Sequence, residues 1–327
     1  MAEDRRPANP DDAPRFRSRS GRAMTGPPVA PPYPSRVDLH AHSRRSDGVL
    51  EPRALVEAAA ISGVRVLALS DHDTLAGVRE LCGPGAPELP LHLVPAVEIN
   101  SVAGGIDGLW EGELHILGLG VDPGDDAFEA ALQRQRVSRA RRFAMILDCL
   151  RNLDMPVDEG AEALSVEPGS SLGRPQIARL LVAAGHDPSV DAAMQALLAR
   201  GKPAYVPRQG MGPHEAIAAV RAARGLPTLA HFPDAPSRRG LVVELIEAGL
   251  GGLEVHYRHF DARTVAHMGA LAADLRLVPT GGSDYHGDAE TYAQAHAEMF
   301  VPGEDAAALF TALGWAPASP VAAGGTK

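Results

Sequence analysis

Short apolar segments alternate with helical patterns over most of the chain. A repeated order of strand, helix and strand is typical of a parallel sheet wrapped by helices, so the sequence predicts an α/β fold. The expected strands lie at Val37–Leu39, Val66–Ser70, His92–Val97, His115–Gly120, Thr228–Ala230, Gly252–Val255 and Val278–Thr280.

The alternation stops after Asp122, where helical patterns follow one another at 127–153, 175–184 and 190–200. We interpret this stretch as a helical insertion in a barrel-like domain. The two chain ends are rich in polar residues, Pro or Gly and poor in apolar residues, which predicts disorder. The expected segments are a tail at 1–35, a first barrel part at 36–121, the insertion at 122–205, a second barrel part at 206–317 and a tail at 318–327.

The chain has 327 residues, of which 45% are hydrophobic, and its two cysteines, Cys82 and Cys149, form no CxxC motif. A chain of this size can bury a core without disulfide or metal staples, and isolated cysteines argue against a thiolate zinc site. Any metal would therefore be held by nitrogen and oxygen. No segment approaches the ~18 apolar residues of a membrane-spanning helix, so we expect a cytoplasmic protein with no membrane contact.

The formal net charge is −10. Broad binding to duplex nucleic acid requires many Lys and Arg side chains to neutralise phosphates, so duplex DNA is not expected as a partner. A short or single nucleic-acid end remains open as a substrate. The sequence indicates no obligate protein partner.

The most distinctive local motif is Asp38-Leu39-His40-Ala41-His42, followed by Asp47. Because side chains alternate along a strand, His40 and His42 point to one face, where both imidazoles can reach one metal ion. An isolated pair of this kind is more often two surface histidines at a strand end. The motif alone therefore does not decide between the two interpretations.

Further predicted strands also end in, or carry, a residue that can bind a metal. Catalytic groups on parallel barrels gather at the carboxyl ends of strands, so these residues are expected in one site. Each also has an ordinary explanation: Asp71 or Asp73 as a helix N-cap, Glu98 as a surface carboxylate, and His115 and His231 as hydrogen-bonded core residues. Their recurrence favours the metal site, with candidate ligands His40, His42, Asp47, His72, Glu98, His115, His231, Asp284 and His286.

Six imidazoles and three carboxylates exceed what one tetrahedral ion can use, which indicates two or three ions that share a carboxylate. A cluster of this kind suits the hydrolysis of phosphate esters. Its ions would lower the pKa of a water to give a nucleophilic hydroxide, and would hold the attacking and leaving oxygens.

Together these motifs resemble the PHP (polymerase and histidinol phosphatase) family of metal-dependent phosphoesterases. The resemblance rests on His40-Ala41-His42, Asp47-Gly48, Leu69-Ser70-Asp71-His72-Asp73-Thr74, Val97-Glu98-Ile99, Glu113-Leu114-His115, Ala230-His231 and Gly282-Ser283-Asp284-Tyr285-His286-Gly287. Within the family, the insertion with Gly173-Arg174-Pro175 and Pro203-Ala204-Tyr205-Val206-Pro207, followed by Gly252-Leu253-Glu254-Val255, resembles the branch of 3′,5′-nucleoside bisphosphate phosphatases and 5′→3′ exoribonucleases of the RNase AM type.

The resemblance implies a distorted TIM-like (β/α)7 barrel with an inserted helical lid and a trinuclear metal centre. It assigns His40, His42, Glu98 and Asp284 to a first ion, Glu98, His115 and His231 to a second, and Asp47, His72 and His286 to a third. Imidazole and carboxylate ligands suit Mn, Zn or Fe. We therefore expect two to three divalent ions of one of these metals.

Arg174 is the expected phosphate clamp, because a guanidinium offers a planar pair of donors to phosphate oxygens. Lys202 and Arg208 are further candidates for substrate binding, and the Arg-rich stretch 134–142 is expected as a solvated helix face. Tyr205 or His256 could stack on a base. The expected catalytic residues are Arg174, Asp284 and His256.

Three functions remain in view. The first is a metal-dependent phosphoesterase that acts on small nucleotides or on the 5′ end of short RNA. The second is a small phosphomonoesterase similar to histidinol phosphatase, against which the insertion argues by analogy alone. The third is a non-catalytic metal-binding module, which the presence of all nine ligands disfavours.

Overall fold

The computed structural model describes residues 35–86, 88–104, 109, 112–165 and 169–315. The tails predicted to be disordered lie outside these residues, apart from Ser35. Within the described part of the chain, no helix is both long and apolar enough to cross a membrane.

In the described residues, seven strands form one sheet in chain order, rolled into a nearly closed barrel. Each strand overlaps a predicted one. The strands are β1 (Val37–Ala41), β2 (Val66–Leu69), β3 (His92–Val102), β4 (Glu113–Leu119), β5 (Leu226–Leu229), β6 (Gly252–Tyr257) and β7 (Val278–Gly282).

The strand β4 runs antiparallel to both β3 and β5, whereas the other neighbouring strands are parallel. The prediction of a wholly parallel sheet is therefore wrong at this strand. The physical reason is the short connection at 103–112, since a parallel crossover needs about a dozen or more residues.

The barrel closes between β1 and the segment that follows β7. The Asp284 backbone N–H donates to the His40 carbonyl at 2.7 Å, and the His42 N–H donates to the Tyr285 carbonyl at 3.1 Å. Gly282 allows this close approach, because a Cβ at that position would overlap the Cβ and backbone nitrogen of His40. Closure thus brings the first and last strands of the barrel together.

Most helices pack one apolar face on the outside of the barrel, as Leu55, Val56 and Ala59 do in α1. A separate cluster joins Leu39 and Leu119 to Phe310 of α11 (Gly303–Ala312) at the barrel end where the parallel strands begin. The helices outside the insertion are α1 (Pro52–Ile61), α2 (Ala76–Cys82), α7 (Pro213–Ala222), α8 (Arg239–Glu247), α9 (Ala262–Leu275), α10 (Tyr292–Ala297) and α11 (Gly303–Ala312).

The expected helical insertion lies between β4 and β5 and has its own apolar cluster, which includes Phe143, Ile146, Leu150, Ile177 and Leu198. The 27-residue α3 begins where the Asp125 side chain accepts from the Phe128 N–H, as an N-cap does. Its elements are α3 (Asp126–Asn152), α4 (Asp158–Ser165), α5 (Arg174–Ala183), α6 (Val190–Ala193) and a π-helical turn (Met194–Leu198).

Candidate metal centre

The nine predicted ligands meet at the barrel end opposite α11, where they form three groups whose ligand atoms lie within 4.8 Å of one another. Glu98 belongs to two groups, and so does His42. The groups are His40, His42, Glu98 and Asp284; Glu98, His115 and His231; and His42, Asp47, His72 and His286.

The strands place three of the nine ligands directly. His40 lies on β1, with His42 directly after the end of that strand, and Glu98 lies on β3 beside β4, which carries His115. The remaining ligands follow the ends of strands. Two of them, His231 (φ +27°) and Asp284 (φ +47°), adopt a positive φ that non-glycine residues rarely take. Such strain persists where surrounding contacts fix the backbone, and it is concentrated at functional sites.

Glu98 lies at the centre of the cluster and is fully buried. Its Oε1 is 2.7 Å from His115 Nδ1 and 2.9 Å from His231 Nε2. Its Oε2 is 2.9 Å from His72 Nδ1 and 3.2 Å from His42 Nε2. One carboxylate thus faces all three groups.

Several buried ligand atoms in this cluster lie near other ligand atoms but form no hydrogen bond of acceptable geometry among the described residues: His42 Nδ1, Asp47 Oδ1, His72 Nδ1, Glu98 Oε2 and Asp284 Oδ1. An unpartnered buried polar atom is costly unless something absent from the chain satisfies it. Converging imidazole nitrogens and carboxylate oxygens of this kind suit divalent cations. The residues present therefore fit the metals that the sequence predicts.

Within the cluster, the imidazoles and the carboxylates stabilise each other's charged forms. Burial acts to raise the pKa of Glu98, but His72, His115 and His40 outweigh it and hold that pKa well below its usual range. Burial lowers the pKa of His286, yet Asp47 and Asp284 raise it overall to about 10. The carboxylates are thus ionised and ready to accept a cation.

A second set of buried groups fixes the ligand strands. Asp38 Oδ1 accepts from the His40 and Ser283 N–H groups at 3.2 and 2.9 Å, and Oδ2 accepts from the Tyr292 hydroxyl at 2.6 Å. Asp71 is not the N-cap considered above, because it accepts from the Ser43 N–H and the Ser46 hydroxyl, both at 2.7 Å. These bonds hold the loop that carries Asp47.

A cavity of about 400 Å³ opens beside the cluster, between the barrel and the helical insertion. Ligands from the second and third groups line one side of it, and apolar residues of α3 line another. Its cationic residues are Arg139, Arg142, Arg174 and Arg208. A cavity of this volume can enclose a nucleotide-sized ligand.

Asp73 organises two of these guanidinium groups. Its Oδ2 accepts from Arg139 Nε at 2.6 Å and from Arg208 Nη2 at 2.5 Å. Arg142 Nη2 and Arg208 Nε are buried and have no hydrogen-bond partner among the described residues. The cavity is therefore lined by several guanidinium groups, which suit an anion.

The comparisons with known proteins agree with this geometry. A scan against protein-family models finds no match. The sequence is 34% identical over 270 residues to the 5′-3′ exoribonuclease Rnm of Escherichia coli. This match covers 78% of this chain and 86% of the relative. It is 31% identical over 264 residues to the 3′,5′-nucleoside bisphosphate phosphatase of Chromobacterium violaceum, over 78% of this chain and 89% of the relative.

The fold is similar to a crystal structure described as a metal-dependent phosphoesterase from Bifidobacterium adolescentis, with a TM-score of 0.71 and 29% identity over 84% of this chain and 95% of that chain. The chain belongs to the PHP family of metal-dependent phosphoesterases. The distorted barrel expected of a PHP protein is therefore confirmed.

In this PHP protein, the solvated face expected at 134–142 holds for Arg134 and Arg141, which are exposed, but not for the other three arginines of the stretch. Arg136 and Arg139 are buried, and Arg139 and Arg142 line the cavity. The reason is that Asp73 and Asn100 accept from Arg139, which turns this side of α3 toward the barrel. Charge spacing in the sequence does not reveal such distant partners.

The substrate-binding candidates divide into two sets. Arg174 and Arg208 line the cavity, whereas Lys202, Tyr205 and His256 are not among its lining residues. Lys202 is exposed, and the Tyr205 ring lies under the Arg142 guanidinium at 5.9 Å. His256 instead places Nε2 3.0 Å from Asp305 Oδ2, so the structure does not bring it to the PHP centre.

Two residues of β6 that the sequence analysis did not select do reach this site. Glu254 is fully buried and accepts from His40 Nδ1. The Tyr257 hydroxyl donates to Asp284 Oδ2 at 3.1 Å. A signal was present for Glu254, since a carboxylate within a short apolar strand is rarely buried without a partner.

Proposed function

We propose that this PHP phosphoesterase hydrolyses phosphate esters of nucleotides that carry a second phosphate, as 3′,5′-nucleoside bisphosphates and the 5′ ends of short RNA do. The observation that carries this proposal is the junction of the ligand cluster with an arginine-lined cavity. The names of the Escherichia coli and Chromobacterium violaceum relatives support the same substrate class. Such substrates fit the cytoplasmic location expected from the sequence.

The three ligand groups would hold two to three divalent ions, with Glu98 shared between the first and second groups. When bound, Mn, Zn or Fe ions would supply a water of lowered pKa and neutralise charge on the reacting phosphate. The chain contributes the arrangement of these ligands and a site largely enclosed by protein.

Arg174 begins α5 and faces the cavity from the side of the insertion. In the proposed mechanism it binds the phosphate that reacts. Its positive charge stabilises the transition state more than the bound substrate, because negative charge builds up on the phosphate oxygens there. Because the guanidinium is planar, it also orients those oxygens.

Arg142 and Arg208 would bind the second phosphate, because both residues line the cavity. Burial and the neighbouring Arg174 lower the pKa of Arg142 to about 10, despite the opposing charge of Glu113. Mutual repulsion among these guanidinium groups is relieved when an anion binds between them. Asp73 keeps Arg208 in place for this contact.

Asp284 is the carboxylate that we propose to act in the reaction as well as in ligation. Tyr257 donates to its Oδ2, while Oδ1 lies 3.2 Å from His40 Nε2 and 3.1 Å from His42 Nε2. The two oxygens thus have separate tasks. Oδ2 is held by the phenol, and Oδ1 is directed into the first ligand group.

The test is phosphate release from adenosine 3′,5′-bisphosphate, from histidinol phosphate and from a short RNA with a 5′ monophosphate, each with added Mn²⁺ and after chelation. We expect metal-dependent release of phosphate from the bisphosphate or of mononucleotides from the RNA. Activity on histidinol phosphate alone would replace the proposal with a small phosphomonoesterase. Metal binding without hydrolysis of any substrate would indicate a non-catalytic module.

A further inference from the structure

The carboxylate of Glu254 connects two of the ligand groups without belonging to either. Its Oε1 lies 3.0 Å from Nδ1 of His40, in the first group. Its Oε2 accepts at 2.7 Å from the backbone N–H of His231, in the second group. Because Glu254 has no solvent exposure, both contacts are shielded from water.

The contact with His40 determines which ring nitrogen is available to an ion. A carboxylate accepts hydrogen bonds, so His40 Nδ1 carries the proton that it donates to Glu254. The opposite nitrogen, Nε2, faces the ligand cluster, 3.3 Å from Glu98 Oε2 and 3.2 Å from Asp284 Oδ1. An imidazole that ligates a metal is neutral, and in the neutral ring Nε2 is then the unprotonated nitrogen, directed at the first group.

The contact with His231 fixes the backbone of a ligand residue. His231 has a φ of +27°, which is unusual for a side chain of its size. A buried N–H bond to a carboxylate offsets part of this strain. The same contact aims His231 Nε2 at Glu98 Oε1, 2.9 Å away.

We propose that Glu254 is a positioning residue for the metal centre: it sets the proton on His40 and holds the backbone of His231, and so prepares two ligand groups at once. This inference rests on the metal centre of the proposed function but not on its substrate.

Position 254 requires a carboxylate, and the amide of glutamine cannot replace it although it has the same shape. The His231 N–H can only donate, so in Glu254→Gln it would take the amide oxygen. The amide NH2 would then face His40 Nδ1, which would have to accept. The ring proton would move to Nε2, the nitrogen that faces the first group.

The experiment compares metal binding by the full chain and by Glu254→Gln and Glu254→Asp. Metal content after gel filtration and competition with a chelator are measured for Zn²⁺ and Mn²⁺. We expect Glu254→Gln to weaken binding of the ion nearest His40 by about 10- to 100-fold, as partners of metal-bound histidines typically do. Glu254→Asp keeps two acceptor oxygens and should recover part of this loss.

A second readout is the ring N–H signal of His40 in ¹⁵N-histidine NMR of the Zn²⁺-loaded protein. The signal should lie on Nδ1 in the unchanged chain and in Glu254→Asp, which keeps the proposal testable if Glu254→Gln does not fold. The matched control is Asp305→Asn, which alters a buried carboxylate paired with His256 away from the cluster. It should bind metal as the unchanged chain does.

Equal metal affinity in the unchanged chain and Glu254→Gln would overturn the proposal for Glu254, whatever substrate the protein uses. A His40 proton on Nε2 in the loaded protein would also overturn it. Failure of the unchanged chain to bind any divalent metal would instead refute both this inference and the proposed function. Absence of phosphate release with normal metal binding would refute the proposed function alone.

Discussion

Glu98 Oε1 lies 2.7 Å from His115 Nδ1, although the two residues are on strands that run in opposite directions. The contact exists because Asn100 is the register partner of His115, and Glu98 lies two residues before Asn100, on the same face of β3. The antiparallel strand β4 therefore places His115 at the same barrel end as the ligands of the parallel strands.

The shared position of Glu98 predicts a strong effect of Glu98→Gln. An outer partner of a metal ligand is worth about 10- to 100-fold in affinity or activity, so removal of a bridging ligand should reduce phosphate release by more than about 100-fold. Metal content should fall for two ligand groups together. Retention of all ions in this variant would show that Glu98 does not bridge.

Arg142→Ala should raise KM for a bisphosphate more than for a monophosphate. A hydrogen bond to a charged group is worth about 1.5–3 kcal/mol, which corresponds to roughly 10- to 100-fold in KM. The matched control is Arg151→Ala, at an exposed position on the same helix. Equal changes in KM for both substrates would place the second phosphate elsewhere.

Arg174→Ala should retain the metals but lose turnover. Removal of one charge-stabilising donor typically costs about 10²–10³ in kcat. The measurement is kcat for the bisphosphate together with metal content after gel filtration. Unchanged kinetics would remove Arg174 from the proposed mechanism.

Metal loading near neutral pH should release protons. Burial acts to lower the pKa of His115, but Glu98 and Glu113 raise it to about 9, and His286 is raised to about 10. Both rings are therefore protonated in the metal-free protein below these values, and metals must displace the protons. Apparent affinity should thus increase as pH rises toward 9.

The check is calorimetry of Mn²⁺ binding in two buffers of different ionisation enthalpy. A binding enthalpy that depends on the buffer in the sense of proton release is the expected result. A binding enthalpy that is the same in both buffers would contradict it.

Gly282→Ala should disrupt both the fold and metal binding, because the added Cβ would overlap His40 at the seam between β7 and β1. The control is Gly269→Ala in α9, where the nearest atom to the added Cβ is 3.7 Å away. That change should stabilise the helix by roughly 0.5–1 kcal/mol. Thermal unfolding of both variants with and without Mn²⁺ measures the difference.

The sequence was sufficient to locate the seven strands found in the described part of the chain, and the structure brings together all nine candidate ligands. The direction of β4 could not be predicted from the sequence pattern. Side chains alternate between the two faces of the sheet in parallel and in antiparallel strands alike. His115 was nevertheless selected correctly as a residue of the cluster, since its residue type did not depend on strand direction.

The selection of His256 shows where strand periodicity is insufficient. Residues 254 and 256 would share a face in a regular strand, but the pairing of β6 with β7 shifts between them. After such a bulge the alternation is reversed. Glu254 and Tyr257 therefore reach the site, while His256 lies against Asp305.

The seam between β1 and the segment after β7 has a consequence for the order of biosynthesis. His40 is among the first residues of the barrel to leave the ribosome, and Asp284 and His286 are among the last. Contacts of such long sequence separation form late in folding. A nascent chain thus lacks a complete first ligand group until the segment that follows β7 has been made and has paired with β1.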